Sequence, residues 1–261
     1  TIKQKVTVQS VDTASEAYAL SLAEKARIDM PYMSKLTGKT EQELFEDLKG
    51  VIFLNPMHTS EEDGRPKYLP ADEYLSGNVR EKLAIAKRSA ELHPEDYGEN
   101  VRALEAVQPV DLTASEISVR LGATWLTLEI IEEFMFELFS TPRYCQWNIH
   151  VHYTQYTGEW NVEGKSYDRS NVKAYNTYGT GRVNGYKIME ETLNLRDVRI
   201  FDYIEDGNGM KTALLNKKET AIAQGKQELI KQAFADWIWS DPERREQLTK
   251  LYNEKFNSIR P

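Results

Sequence analysis

His150-Val151-His152 places two imidazoles two residues apart, on one face of a strand if the segment is extended, and such a pair can begin a metal site. No third ligand is obvious. Cys145 has the wrong parity to join them on a regular strand, so a surface or half-buried histidine pair is the simpler reading and no metal is expected. Glu132, Glu133 and Glu137 lie within two turns of a helix. They read as the solvated edge of an amphipathic helix rather than an acid–base cluster. Asp202 to Gly209 superficially suggests a calcium loop but lacks the alternating oxygen ligands, and Asp206-Gly207-Asn208-Gly209 reads as a hairpin turn.

Other chemistry fails on missing pieces. The chain has no Gly-x-x-x-x-Gly-Lys-[Ser/Thr] phosphate loop, no Gly-x-Ser-x-Gly nucleophile elbow and no Asn-Pro-Pro-aromatic methylase signature. No cofactor is expected, and a standalone hydrolase or metalloenzyme would need a triad or third ligand that is not found. Tyr178-Gly179-Thr180-Gly181-Arg182 opens a helix with a glycine-rich loop whose free N–H groups suit a phosphate, aided by Arg182 and Lys187. The competing reading is a helix start that needs glycine for its turn.

Between Arg143 and Met189 there are six basic residues, three acidic ones and nine aromatics. Aromatic stacking beside scattered cations is how single strands are held without sequence preference. The DNA contacts expected on this basis are Arg182, Lys187, Arg169 and Lys173, with Trp147, Tyr156 and Trp160 as stacking residues. Packing is the alternative use for the aromatics. Charge supports the location: the net charge is −8 overall, −5 over residues 1–110, −5 over 111–140, +2 over 141–200 and zero over 201–261. An acidic chain does not simply coat nucleic acid.

These residues need a scaffold, which the pattern predicts as α+β. Helices are expected from a Thr13 or Ser15 cap through about Ala26, from Asp29 through Leu36, and from Thr40, where Glu43 completes a capping box. A strand at Val51–Leu54 and its return at Lys67–Leu69 complete three helices and a wing, the outline of a winged helix-turn-helix. Its third helix exposes Glu41, Gln42, Glu43, Glu46 and Asp47, so it is read as structural or protein-contacting rather than as a reader of the major groove. Helices over 71–91 and 95–107 follow, then a strand at Ile117–Trp125, an apolar helix at Leu126–Phe139, and a hairpin from Tyr144–Tyr156 to Glu159–Val162. A helix at 181–195, a hairpin at Val198–Tyr203 and Met210–Leu215, a long helix from Asn216 to Trp239 and a last helix capped by Asp241 complete the reading. Three parts are expected: 1–110 helical and winged-helix-like, 111–215 with the β-hairpins, and 216–261 with the C-terminal helices. One cysteine fits a reducing cytoplasm, and no apolar run is long enough to span a membrane. Thr1 and the ending Ser258-Ile259-Arg260-Pro261 look cut from something longer.

Three stretches carry a resemblance. They are Ala71-Asp72-Glu73-Tyr74-Leu75-Ser76-Gly77-Asn78-Val79-Arg80-Glu81-Lys82-Leu83; Val107-Gln108-Pro109 with Ala114 to Trp125; and Tyr178-Gly179-Thr180 through Leu195, supported by Asp236-Trp237-Ile238-Trp239 and Tyr252 to Asn257. Together they resemble the large helicase–DNA methylase proteins of bacterial conjugative elements and phages. In that family an adenine-specific methylase and a Swi/Snf-type helicase share one chain. The resemblance implies that this segment lies immediately before the helicase, that the catalytic motifs lie outside it, and that its partners are DNA and the adjacent helicase and methylase domains. The function so implied is a non-catalytic accessory segment positioning DNA or its neighbours; the alternative is a docking or autoinhibitory module without DNA affinity.

Overall fold

The structure, a computed structural model, describes residues 8–261. The chain forms two compact units, one running to Asp111 and joined by Asn253–Pro261, the other Leu112–Tyr252. This is not the three-part division at 110 and 215 expected from sequence. The helix after residue 215 packs into the same core as the hairpin residues Val151, Trp160 and Val162 before it.

In the first unit, α1 (Ala14–Lys25), α2 (Met30–Thr37) and α3 (Glu41–Asp47) precede β1 (Ile52–Leu54) and β2 (Tyr68–Pro70), an antiparallel pair. Thr13/Glu16 and Thr40/Glu43 form the reciprocal capping boxes that fix the starts of α1 and α3, and the Asp29 carboxylate caps α2. Ala17, Met33, Leu36, Leu44 and Ile52 close the core of this winged helix. The helix expected over 71–91 is broken. A single turn, α4 (Ala71–Tyr74), gives way to β3 (Gly77–Asn78), and Asn78 caps α5 (Val79–Leu92). Gly77 holds φ at +71°, a left-handed conformation that interrupts a helix and suits glycine. Next, α6 (Pro94–Ala106) packs against α5 over Val79, Ala86 and Leu104.

The second unit opens without the strand expected at Ile117–Trp125. Ile117, Leu121 and Trp125 are buried as anchors of irregular backbone that has no strand partner. Helix α7 (Leu128–Phe139) begins at its Thr127 cap and presents Ile131, Phe134, Met135 and Phe139 to the core. The front of the expected first hairpin is instead a short helix, α8 (Arg143–Gln146), and the hairpin proper is β4 (His150–Thr154) with β5 (Glu159–Glu163). A π-helical turn at Lys173–Thr177 leads to α9 (Gly185–Leu193).

α9 stands beside β5 and takes the place of a neighbouring strand. The Glu190 carboxylate accepts the Val162 N–H at 2.9 Å. Asn194 accepts the Trp160 N–H at 2.8 Å and donates to its carbonyl at 2.9 Å. Four helical residues rise about 6 Å, close to the roughly 6.8 Å of two strand residues, so an i,i+4 pair reaches alternate backbone groups. The hairpin β6 (Phe201–Glu205) and β7 (Lys211–Leu215) turns at Asp206–Gly209 as expected and leaves Tyr203, Ile204, Met210 and Leu214 exposed. α10 (Lys217–Ile238), capped by Asn216, supplies Thr220 and Gln227 to the N–H groups of Ile200 and Val198. α11 (Pro242–Phe256) starts where the Asp241 carboxylate caps Arg244 N–H.

The chain ends in the first unit, where β8 (Ile259–Arg260) pairs with β3. Asn257 Nδ2 donates to the Val110 carbonyl at 2.7 Å, and Arg80 binds both the Asn257 carbonyl and the Asp111 carboxylate. Among the described residues, no helix is long and apolar enough to cross a membrane.

Candidate nucleic-acid interface

The face of the winged helix that would meet a major groove is acidic and occupied. Glu41 accepts Lys67 Nζ and the Tyr68 hydroxyl, each at 2.7 Å, and these two donors draw its carboxyl below the ordinary range against the opposing effect of burial. Glu43 is spent on its cap, Glu46 pairs with Lys49 at 2.8 Å, and Asp47 pairs with Lys39. α3 therefore offers carboxylates, not donors, to an approaching duplex.

Of the basic residues expected to hold DNA, two have carboxylate partners. The Arg182 guanidinium binds Asp202 Oδ1 at 2.8 Å and the Phe201 carbonyl at 2.9 Å. Lys187 binds Glu190 at 2.8 Å and Glu191 at 3.1 Å. Burial disfavours the Lys187 charge, yet the two carboxylates outweigh it and raise its pKa. The glycine loop serves packing: a Cβ on Gly179 would stand 2.3 Å from the Ala174 carbonyl oxygen. The Asn184 side chain already accepts the Lys187 N–H at the start of α9.

Trp160 is a correction to the stacking set. It is 5% exposed, and β5 alternates in burial so that Trp160 and Val162 enter the core. A ring sealed there cannot receive a base. Tyr153 packs against it, with ring centroids 4.7 Å apart. Trp147 and Tyr156 are open, at 82% and 99% exposure.

The exposed residues that the fold does bring together lie on a ledge made of two antiparallel segments, 139–148 and 164–173. Asn171 Nδ2 donates to the Phe139 carbonyl at 2.8 Å, and Lys173 Nζ to Ser140 Oγ at 2.9 Å. The Cys145 thiol reaches Asp168 Oδ1 at 3.7 Å. Gly164 lies so close to Asn148 that a Cβ would be 2.0 Å from its carbonyl oxygen. Beneath this seam, Asp168 accepts the Tyr186 hydroxyl at 2.8 Å and Asn171 Nδ2 at 2.6 Å, and the Tyr186 and Thr141 hydroxyls lie 2.6 Å apart. Desolvation, against the Thr141 contact, pushes the Tyr186 phenol well above its usual range. The network is buried and fully satisfied, so it sets the register of both segments.

Arg143, Tyr144 and Trp147 lie on one of these joined segments, and Tyr167, Arg169 and Lys173 on the other. All six are exposed, with Tyr144 at 72% and Tyr167 at 59%. Asp168 is the acidic residue within these two segments, and it is buried. Three open rings and three cations without a surface carboxylate in either segment suit stacked bases and a phosphate backbone. Arg143, Tyr144 and Tyr167 were not among the contacts expected from sequence. Their signal was present in the counts of basic and aromatic residues but could not be sorted by exposure.

The remaining motifs have structural uses. His150 Nε2 lies 3.0 Å from the Trp147 carbonyl, and its Nδ1 3.4 Å from Glu132; His152 pairs with Glu163 at 2.8 Å. Cys145 sits on α8, buried, rather than on the strand with the histidines. Glu132 accepts the Val151 N–H, Glu137 accepts the Trp237 indole N–H, and Glu133 faces Arg244, so the three carboxylates have separate partners.

Comparison with known families gives two matches. A model described as "Domain of unknown function (DUF8437)" covers residues 120–258, just over half of the chain. A model described as "Probable helicase, winged helix domain" covers residues 10–62. No curated protein and no solved structure matches the chain.

Proposed function

We propose that this chain, which belongs to the family described as domain of unknown function DUF8437 and carries a helicase-associated winged-helix domain, is a non-catalytic accessory segment that holds single-stranded DNA. The observation that carries the reading is the ledge: Tyr144, Trp147 and Tyr167 are exposed on the same two joined segments as Arg143, Arg169 and Lys173. Unpaired bases present the faces that such rings stack on, whereas duplex DNA keeps them covered. Tyr156, at the exposed turn of the β4–β5 hairpin, is a further stacking residue. Arg182 and Lys187 act in this reading as partners of Asp202 and of Glu190 with Glu191, not as primary phosphate contacts.

The parent assembly on this reading is a helicase with an adenine-specific methylase, of the kind carried by bacterial conjugative elements and phages, working in the cytoplasm. The ledge delivers or retains the strand on which the motor acts, and the adjacent helicase and methylase domains are its partners. The test is fluorescence anisotropy of the chain with single- and double-stranded oligonucleotides at low salt. Preferential single-strand binding that weakens with salt and on Trp147→Ala with Arg169→Ala supports the function. Equal or absent binding of both forms overturns it.

A second reading is favoured by a separate observation. The β6–β7 arm is a lone two-stranded hairpin with exposed Tyr203, Ile204, Met210 and Leu214, together with Glu205 and Asp206. An acidic, apolar arm suits a protein surface better than a phosphate backbone. A pull-down against the helicase fragment, with and without competing DNA, separates docking from strand binding.

A further inference from the structure

A recess of about 300 Å³ opens on the second unit, lined by Val119, Arg120, Leu121, Leu195, Arg196 and Lys231, with Phe234 and Asp197 also at its wall. That volume is at the lower end of the range for small-molecule sites. Three cations against one carboxylate make the lining positive. Arg120 has no ion pair among the described residues. Arg196 has its nearest carboxylates, Glu159 and Glu191, at 3.7 and 3.9 Å, beyond the reach of a charge-assisted hydrogen bond. Lys231 pairs with Glu228 at 3.2 Å.

Leu195 supplies the second, independent observation. It closes α9 in the left-handed conformation, φ +59°, where glycine is the usual residue. Leu195 N–H reaches the Thr192 carbonyl at 3.0 Å and Arg196 N–H the Glu191 carbonyl at 2.9 Å, a complete helix-closing motif. A branched side chain is disfavoured in that conformation, and 58% of the residue remains in water. The fold would be served as well by glycine. Gly122 allows the approach from below: a Cβ on it would meet the Leu193 carbonyl oxygen at 2.4 Å and Leu195 Cδ2 at 3.2 Å.

We infer that this recess binds a phosphate monoester borne on an apolar or aromatic body, the phosphate held by Arg120 and Arg196 and the body laid on Leu195 and Val119. Paired guanidinium groups match the planar, bidentate demand of a phosphate. The ligand is a free nucleoside monophosphate or the 5′-phosphorylated end of a strand, and the site does not depend on the ledge.

The experiment is isothermal titration of the full chain at low salt with deoxyadenosine monophosphate, deoxyadenosine, inorganic phosphate, and a deoxyadenosine dinucleotide with and without its 5′-phosphate. The monophosphate binds, and either half alone binds at least about tenfold more weakly, the loss of one charge-assisted contact or of the apolar one. Arg120→Ala weakens the monophosphate about tenfold. Leu195→Gly weakens it while leaving the melting temperature unchanged or higher, which separates ligand contact from folding. Binding of the 5′-phosphorylated dinucleotide as tightly as the monophosphate identifies a strand end; exclusion of the dinucleotide identifies a free nucleotide. Trp147→Ala leaves all of these affinities in place, so failure here is distinct from failure of the ledge. No binding of the monophosphate at about 5 mM, or an affinity indifferent to both Arg120→Ala and Leu195→Gly, overturns the inference.

Discussion

The Cys145 thiol donates toward Oδ1 of Asp168 across 3.7 Å, and both residues are almost sealed from water. This contact links a four-residue helix to the loop before the π-helical turn, and the aromatic ledge rests on both. The stability of the seam and the placing of the exposed residues above it are therefore one problem.

Asp168→Ala removes an acceptor shared by the Tyr186 hydroxyl, Asn171 Nδ2 and the Cys145 thiol, leaving Tyr186 with Thr141 alone and Asn171 Nδ2 with the Phe139 carbonyl alone. The expected loss is about 1.5–3 kcal/mol, the range for hydrogen bonds to a charged group. Urea unfolding followed by tryptophan fluorescence reads it. Asp168→Asn, which keeps one acceptor, loses less.

Burial pushes the Cys145 thiol above its ordinary range, with the Asp168 carboxylate adding to the effect. At pH 8 the native protein therefore reacts with a disulfide reagent far more slowly than the same protein in urea, because the thiolate is the nucleophile. A fast native reaction would place Cys145 at the surface.

Glu190 gives a pH dependence with a definite sign. Burial raises its pKa, but hydrogen bonds from Lys165, Lys187 and the Val162 N–H outweigh burial and hold the carboxyl below the usual range. A group depressed in the folded state contributes its stability in full above the unfolded value of about 4.3 and loses it as pH falls through the folded value. Unfolding free energy from denaturant titrations should fall as pH drops below about 4.3. Glu190→Gln should flatten that fall while lowering stability at pH 7, because it removes the charge that Lys165 and Lys187 share.

The two tryptophans separate folding from binding. Trp160→Ala costs about 3–5 kcal/mol of stability, as expected for a large core ring. Trp147→Ala leaves stability nearly unchanged and weakens single-strand binding by about 1–3 kcal/mol. Arg169→Ala with Lys173→Ala instead lowers the dependence of log affinity on log salt by about 1.4, roughly 0.7 per phosphate contact. Melting curves and salt titrations of the three variants check the assignment.

Gly164→Ala tests the seam from its far end. Gly164 has φ +73°, and the added Cβ would fall 2.0 Å from the Asn148 carbonyl oxygen. The segments must part to accommodate it, at a cost above about 1 kcal/mol. Thermal unfolding and single-strand affinity should decline together in this variant.

Local hydrogen bonding made much of the fold legible in sequence. The Thr13/Glu16 and Thr40/Glu43 boxes, the Asn216 cap and the Asp206–Gly209 turn each lie within a few residues of their partners. Elements whose character depends on distant partners were not legible. Ile117–Trp125 has strand-like composition, yet its apolar residues anchor irregular backbone in the core. For the candidate site, the alternation Glu159-Trp160-Asn161-Val162-Glu163 contained the cue that Trp160 points inward. The spacing of Lys187 to Glu190 and Glu191 likewise contained the cue to its pairing. Nothing local linked Arg182 to Asp202, or set the 139–148 segment beside 164–173, because those contacts cross tens of residues.

The hydrogen bond from Asn257 to the Val110 carbonyl closes a circuit around everything between them. In order of synthesis, the winged helix and α4, α5 and α6 precede Leu112–Tyr252, and all of Leu112–Tyr252 precedes the segment that supplies β8 and the Asn257 contacts. All residues of the inserted unit are thus made before the first unit receives β8. A stop codon shortly after Tyr252 would spare the later-made unit and injure the earlier one, the reverse of what truncation does to domains strung end to end.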